Sequence, residues 1–286
     1  MIRAIQPVAD DIANYRHVAN ERKREGRLRP DALAPKVLEL YETYLVRVMD
    51  KDGPVADPSI SDFDQDELEA TAYFLKLAHF KILRTAILNA VYRSKCPYCY
   101  QFKATEIDHY LPKSKFGEYA VYAPNLVPIC RTCNGKKLSR YMRLGGGRRF
   151  LHPYFDTLPT SPARYLTATL SVSSSVTITF ELVQPPSMSD EIWEVLRNQF
   201  ADLELGIRYV EEAVETMTSM LGSLHSHFDR GGAAEVTKQL QIERQSKEDM
   251  YGANHWWPVT LETLAKSQAF CNGGFKALES QKFPGL

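Results

Sequence analysis

The residues richest in chemistry lie between positions 96 and 137 of the 286-residue sequence, where four cysteines form two Cys-x-x-Cys pairs, Cys96/Cys99 and Cys130/Cys133. Each such turn can aim two thiolates at one point while its backbone amides offset their charge, which suits tetrahedral Zn²⁺. Five cysteines are too few for a disulfide framework. The pairs therefore read as structural zinc ligands, and Cys271 as an ordinary buried or free thiol. The 30 residues between the pairs, 100–129, exceed what a simple zinc ribbon needs, so a further structure is expected there.

Within and just beyond that interval stand groups suited to phosphodiester hydrolysis. Asp108-His109 precedes Pro112, Asn125 opens the run Asn-Leu-Val-Pro-Ile-Cys, and Asn134 follows the last cysteine of the pair, with Lys136 and Lys137 behind it. Hydrolysis needs an activated water, a cation to neutralise developing charge and a clamp on the strand. An imidazole is about half neutral around pH 6.5, so His109 can accept the water's proton. Asp108 and Asn134 offer hard oxygens, and two of them leave room on Mg²⁺ or Mn²⁺ for waters and phosphate. Singly each residue has a plainer role: a turn for Asp108, packing for His109, a cap for Asn125 and Asn134. Jointly, in this order, they point to catalysis.

The blocks CPYC, IDHYLPKS, NLVPICRTCN and GKK resemble the HNH endonuclease family, the ββα-metal nucleases, in the variant braced by a four-cysteine zinc site and ending its motif on Asn. The resemblance covers roughly 55 residues and implies a single catalytic Mg²⁺ or Mn²⁺ held by Asp108 and Asn134. It further implies His109 as general base, Asn125 as the residue orienting the His109 strand and loop, and products with a 5′-phosphate and a 3′-hydroxyl. DNA is the expected substrate ahead of RNA. By analogy with similarly sized HNH proteins of Septu-type anti-phage systems, an ATPase partner is also expected. A non-catalytic zinc-stabilised nucleic-acid binder and a protein–protein adaptor are the alternatives.

Lys+Arg and Asp+Glu each number 35, so the net charge is zero. That balance conceals a division. Residues 93–149 carry twelve basic and three acidic residues, a net of +9, leaving −9 on the flanks. Expected phosphate contacts are Lys113, Lys115, Lys136, Lys137, Arg140, Arg143, Arg148 and Arg149, with Gly145–Gly147 allowing close approach of a strand. His152 and Asp156 could stand at the rim of the site, although a turn leading into the following hairpin suits them better.

The surrounding elements follow from hydrophobic period. Helical spacing over 30–49 and 64–92, separated by a turn-rich loop with Ser61, Asp62 and Asp64 as caps, predicts a helical region over 1–92. The nuclease module follows at 93–150, and a hairpin and linker at 151–188. Leu166, Ala168, Leu170 and Val172 alternate toward Ser173-Ser174-Ser175, then Val176, Ile178, Phe180 and Leu182 alternate away from it. From Trp193 to Phe228 apolar residues recur three and four apart, predicting one long helix, or two closely in register, ending at Asp229–Gly232 in a helical region over 189–286. His225 and His227 point to different faces and make a poor chelate; Trp256 and Trp257 read as core or interface anchors. The fold class is mainly α with a small ββα-metal module and a β hairpin, α+β. With no apolar run of about 18 residues and no secretory signal pattern, a cytoplasmic protein without membrane contact is expected.

Overall fold

A computed structural model of the chain describes residues 3–281. It resolves into two compact units, Met1–Thr157 with Glu194–Leu203, and Leu158–Trp193 with Glu204–Leu286. The architecture is mainly α with two small antiparallel hairpins and a cysteine cluster.

The first unit contains helices α1 (Asp11–Arg24), α2 (Ala34–Val48), α3 (Asp62–Glu69) and α4 (Lys81–Asn89). Strands β1 (Glu106–His109) and β2 (Leu126–Ile129) follow, then the short helix α5 (Arg131–Lys137). Ser61 caps α3 by accepting from the Asp64 amide, as its position suggests. The helix anticipated over 64–92 is not continuous. After α3 the chain tightens into 3₁₀ turns at Ala70–Lys76 and Ala78–Phe80, with Leu77 extended, before α4 begins. Leu68, Thr71 and Phe74 are buried here with Glu67, and their spacing of three suits the tighter 3₁₀ turn, which brings residues i and i+3 into line.

β1 and β2 pair antiparallel, with His109 opposite Leu126 and Asp108 opposite Val127. Every residue of β2 is buried. A tyrosine cluster joins α2 to the segment between the strands: Tyr41 stacks on Tyr122 at 4.0 Å, and Tyr44 meets Tyr119 edge-on at 4.8 Å. Such pairs add about 0.5–1.5 kcal/mol beyond area burial, so α2 is a rigid backing for the strands.

In the second unit β3 (Leu166–Val172) and β4 (Val176–Leu182) form the expected hairpin, pairing Ala168 with Phe180 and Leu170 with Ile178. One face of β4 is buried through Val176, Ile178 and Phe180. The one long helix, or two in register, expected from Trp193 to Phe228 is corrected to three segments: α6 (Asp190–Asp202), α7 (Leu205–Ser219) and α8 (Leu221–Tyr251). Glu204 takes a left-handed φ of 52° and resets the phase. Leu205, Tyr209 and Ala213 consequently face the core, and Ile207, a core position in the unbroken pattern, is 64% exposed. At Gly231 and Gly232 the backbone leaves helical geometry where the first run was expected to end. Trp256, at the start of α9 (Trp256–Lys266), is buried and stacks on Trp257 at 5.6 Å. His225 bonds Glu279 while His227 bonds Arg230, so the two do not chelate together. Cys271 is a buried free thiol. No helix among the described residues is long and apolar enough to cross a membrane.

Candidate active site

Cys96 and Cys99 lie in a tight turn closed by the Tyr100 amide on the Cys96 carbonyl (2.8 Å), while Cys130 follows β2 and caps α5, its Sγ accepting from the Cys133 amide at 3.4 Å. All four are buried, and their sulfurs lie within 4.8 Å of one another. The Cys99 and Cys130 sulfurs are 3.8 Å apart, about the separation set by tetrahedral bonds of roughly 2.3 Å to zinc. Burial pushes the Cys96 thiol upward. Gathering four ionised sulfurs here therefore requires a cation, and the donor set fits zinc. Holding Zn²⁺ would tie the turn before β1 to the cap and first turn of α5.

Asp108, His109 and Asn134 line one cleft of about 460 Å³, with Glu69, Glu106, Lys113 and Arg131 around them. Asp108 and His109 end β1, and Asn134 lies one turn into α5. The Asn134 Nδ2 donates to Glu106 Oε2 at 2.8 Å, so its carbonyl oxygen is the atom available as a ligand. Lys137 Nζ is 2.8 Å from Asp108 Oδ2 and donates to the His109 carbonyl at 3.1 Å. The other Asp108 oxygen, the Asn134 carbonyl and the Glu106 carboxylate line the same cleft and are hard donors of the kind that suits Mg²⁺ or Mn²⁺.

His109 is half-buried, and its Nε2–H donates to the Ala120 carbonyl at 2.8 Å, which leaves Nδ1 as the acceptor. Burial holds its pKa below the ordinary histidine value, against the opposing pull of the Ala120 carbonyl and Asp108, and Lys113 and Lys137 add to the depression. The neutral ring is thus the resident form at neutral pH.

Asn125 is fully buried behind the cleft. Its Oδ1 accepts from the Leu111 amide (2.8 Å) and the Tyr44 hydroxyl (3.0 Å), and its Nδ2 donates to the carbonyls of Leu111 (3.1 Å) and Tyr119 (3.3 Å). Leu111 is two residues past His109, and Tyr119 adjoins the carbonyl that His109 bonds. One amide thereby secures both sides of the imidazole's seat. The chain of contacts continues inward: His152 Nδ1 accepts from the Tyr154 amide (3.3 Å), so the Nε2–H faces the Tyr44 oxygen at 3.2 Å. Burial, with Arg148 and Lys137 nearby, keeps His152 neutral, well below the usual range. His152 and Asp156 are therefore interior supports, not rim residues.

The anticipated phosphate contacts divide sharply. Lys137 and Arg148 are almost wholly buried, Lys137 on Asp108 and Arg148 on Asp156 at 2.6 Å, so neither can meet a strand from solvent. Arg140 and Arg149 both pair with Asp202 of α6, and Arg143 lies 3.7 Å from Glu194. Lys115 Nζ sits over the Tyr141 ring at 5.6 Å, and Lys113 pairs with Glu69. Lys136 is half-buried on α5. Part of the +9 in residues 93–149 is thus answered by three acids of α3 and α6, Glu69, Glu194 and Asp202.

Sequence reasoning passed over Glu106, Glu69 and Arg131 as site residues. Glu106 had a findable signal: it stands two residues before Asp108, and strand alternation puts both carboxylates on the face that α5 covers. Glu69 and Arg131 have no local signature, since only the docking of α3 and α5 brings them to the cleft.

The HNH endonuclease family matches residues 96–140, the stretch from the first cysteine of the cluster to just past α5. "Protein ea31" of Escherichia phage lambda is 27% identical over 189 residues, 63% of this chain and 64% of that protein. "Septu protein PtuB" of Bacillus thuringiensis is 41% identical over 49 residues, 15% of this chain and 19% of that protein. The chain spans less than two thirds of the length of these relatives. No solved structure matches. Together with the cysteine cluster, these likenesses show an HNH segment at residues 96–140 and support a nuclease-type role.

Proposed function

From the premise that residues 96–140 are an HNH endonuclease domain, we propose that the protein is a divalent-metal-dependent endonuclease that hydrolyses phosphodiester bonds, in DNA ahead of RNA. The observation that carries this reading is the convergence of Asp108, His109 and Asn134 on one cleft. His109, oriented by the Ala120 carbonyl, accepts the attacking water's proton at Nδ1. Asn125 holds the backbone on both sides of that ring, and Lys137 fixes Asp108 and the His109 carbonyl. Asp108 and Asn134 would hold Mg²⁺ or Mn²⁺, which when bound neutralises charge on the phosphate. Zn²⁺ at the four cysteines would keep β1 and α5 in register.

The test is cleavage of plasmid DNA and of RNA by the full chain with Mg²⁺ or Mn²⁺. His109→Ala should lower the rate on the order of 10²–10⁴-fold. Cleavage by this variant at the parental rate would refute the assignment. A defence role with an ATPase partner belongs to the same reading and is supported by the likeness to PtuB; loss of protection in phage plating when His109 is replaced would bear it out.

A further inference from the structure

We propose that the cleft wall built from residues 66–88 binds unpaired nucleic acid, with Tyr73 as a base-stacking platform and Lys76 and Lys81 as phosphate contacts. This rests on the nuclease reading and names the form of its substrate. The cleft around His109 opens into a larger groove of about 960 Å³, which shares Asp108, His109, Lys113 and Asn134 and runs on along Tyr73, Lys76, Lys81 and Arg84.

Three features of this wall suit a strand. Tyr73 is 62% exposed, and its one ring contact in the first unit is an edge approach to Phe74 at 6.1 Å, which leaves a face to solvent. Lys76 and Lys81 are exposed, and among the described residues no ion pair ties either of them. Arg84 donates to the carbonyls of Leu75 and Leu77, the latter at 2.8 Å, which fixes the loop carrying Tyr73 and Lys76 before any ligand arrives. Glu69 is committed to Lys113, so Asp66 is the remaining acid of the wall and its charge stays net positive.

The contrast with the segment after Cys133 strengthens the assignment. Arg140, Arg143 and Arg149 look like phosphate contacts in sequence but are paired with Asp202 and Glu194. The lysines without acidic partners lie across the cleft instead. An aromatic face beside free lysines is the arrangement that tracks a single strand, because a base can stack on Tyr73 only after leaving its own stack, whereas a duplex presents edges and backbone. The inferred substrate class is therefore single-stranded or locally unpaired nucleic acid, such as a flap or an opened end.

The experiment measures binding of a fluorescent single-stranded oligonucleotide and its duplex to the full chain in Ca²⁺, alongside Mn²⁺-dependent hydrolysis of bis(p-nitrophenyl) phosphate. Tyr73→Ala should weaken single-strand binding on the order of tenfold, with Tyr73→Phe retaining it. Lys76→Gln with Lys81→Gln should lower the slope of log K against log salt by about 0.7 per lysine. Hydrolysis of the small diester, which cannot reach the wall, should be unchanged in all of them. Undiminished single-strand affinity in these variants, or an equal loss for duplex, would overturn the groove. Absence of diester hydrolysis in the parent protein would instead count against the nuclease reading and leave the binding measurement to decide the groove.

Discussion

At the scale of single residues, the site depends on buried polar groups held by one another. Lys137 is 1% exposed on its side chain and Asp108 13%, so their ion pair stands largely out of water. Removing one partner leaves the other uncompensated, which costs about 3–5 kcal/mol in comparable buried pairs. Lys137→Met should therefore lower stability by about 3 kcal/mol in urea unfolding and depress cleavage together with it, whereas a surface phosphate contact would alter salt dependence alone. Glu118 is a buried carboxyl whose pKa burial raises to about 7. The unfolded value is near 4.5, so the neutral form's contribution is intact below that pH and is lost as pH rises through about 7. Glu118→Gln removes that loss. Compared with the parent, the variant should gain on the order of 3 kcal/mol between pH 4.5 and pH 8, read by urea unfolding at both values.

At the scale of elements, strand β1 of the candidate site is positioned from two directions. α5 reaches β1 through Asn134–Glu106 and Lys137–Asp108, and α3 meets the loop after β1 where Gly117 approaches it. A Cβ on Gly117 would lie 2.8 Å from the Glu69 amide nitrogen and 2.8 Å from Leu68 Cβ. Backbone must therefore move, and Gln65, which donates to the Lys113 carbonyl and accepts from the Gly117 amide, would lose its grip. Gly117→Ala should cost roughly 1–3 kcal/mol and lower cleavage more than its stability loss explains, checked by thermal unfolding beside single-turnover rates. The helical elements that departed from expectation did so for local reasons. Thr71 and Phe74 are buried three apart in the 3₁₀ segment after α3, and Glu204 interrupts the heptad pattern at a single left-handed residue.

At the scale of the whole molecule, the chain forms two compact units, and the cysteine cluster belongs to the first. Ligand thiolates and folded structure are linked, so the metal's binding energy is folding energy for the segment it closes. A strong zinc chelator should therefore lower the melting of the first unit and leave that of the second in place, visible in scanning calorimetry as two transitions where chelation moves one. A Cys96→Ser, Cys99→Ser variant should show the same shift without chelator and lose one zinc per chain by metal analysis. The zero net charge also acquires a spatial meaning. Asp202, Glu194 and Glu69 lie outside residues 93–149 in sequence, yet they pair with arginines and a lysine within it and offset part of their charge.

What the sequence determined by itself were features whose cause is local. Two Cys-x-x-Cys turns, Asp108-His109 at a strand end, Asn134 after the last cysteine of its pair, and the strict alternation of Leu166–Val172 against Val176–Leu182 all carry their geometry in their spacing. Tertiary structure alone decided which charges remain for a ligand. Lysine and arginine look alike in a sequence whether they face solvent, as Lys76 and Lys81 do, or are buried on a carboxylate, as Lys137 and Arg148 are. The difference is set by acids tens of residues away, whose approach depends on the packing of α3 and α6. A charge interacts with whatever lies within a few ångströms in space, and sequence distance does not enter that energy.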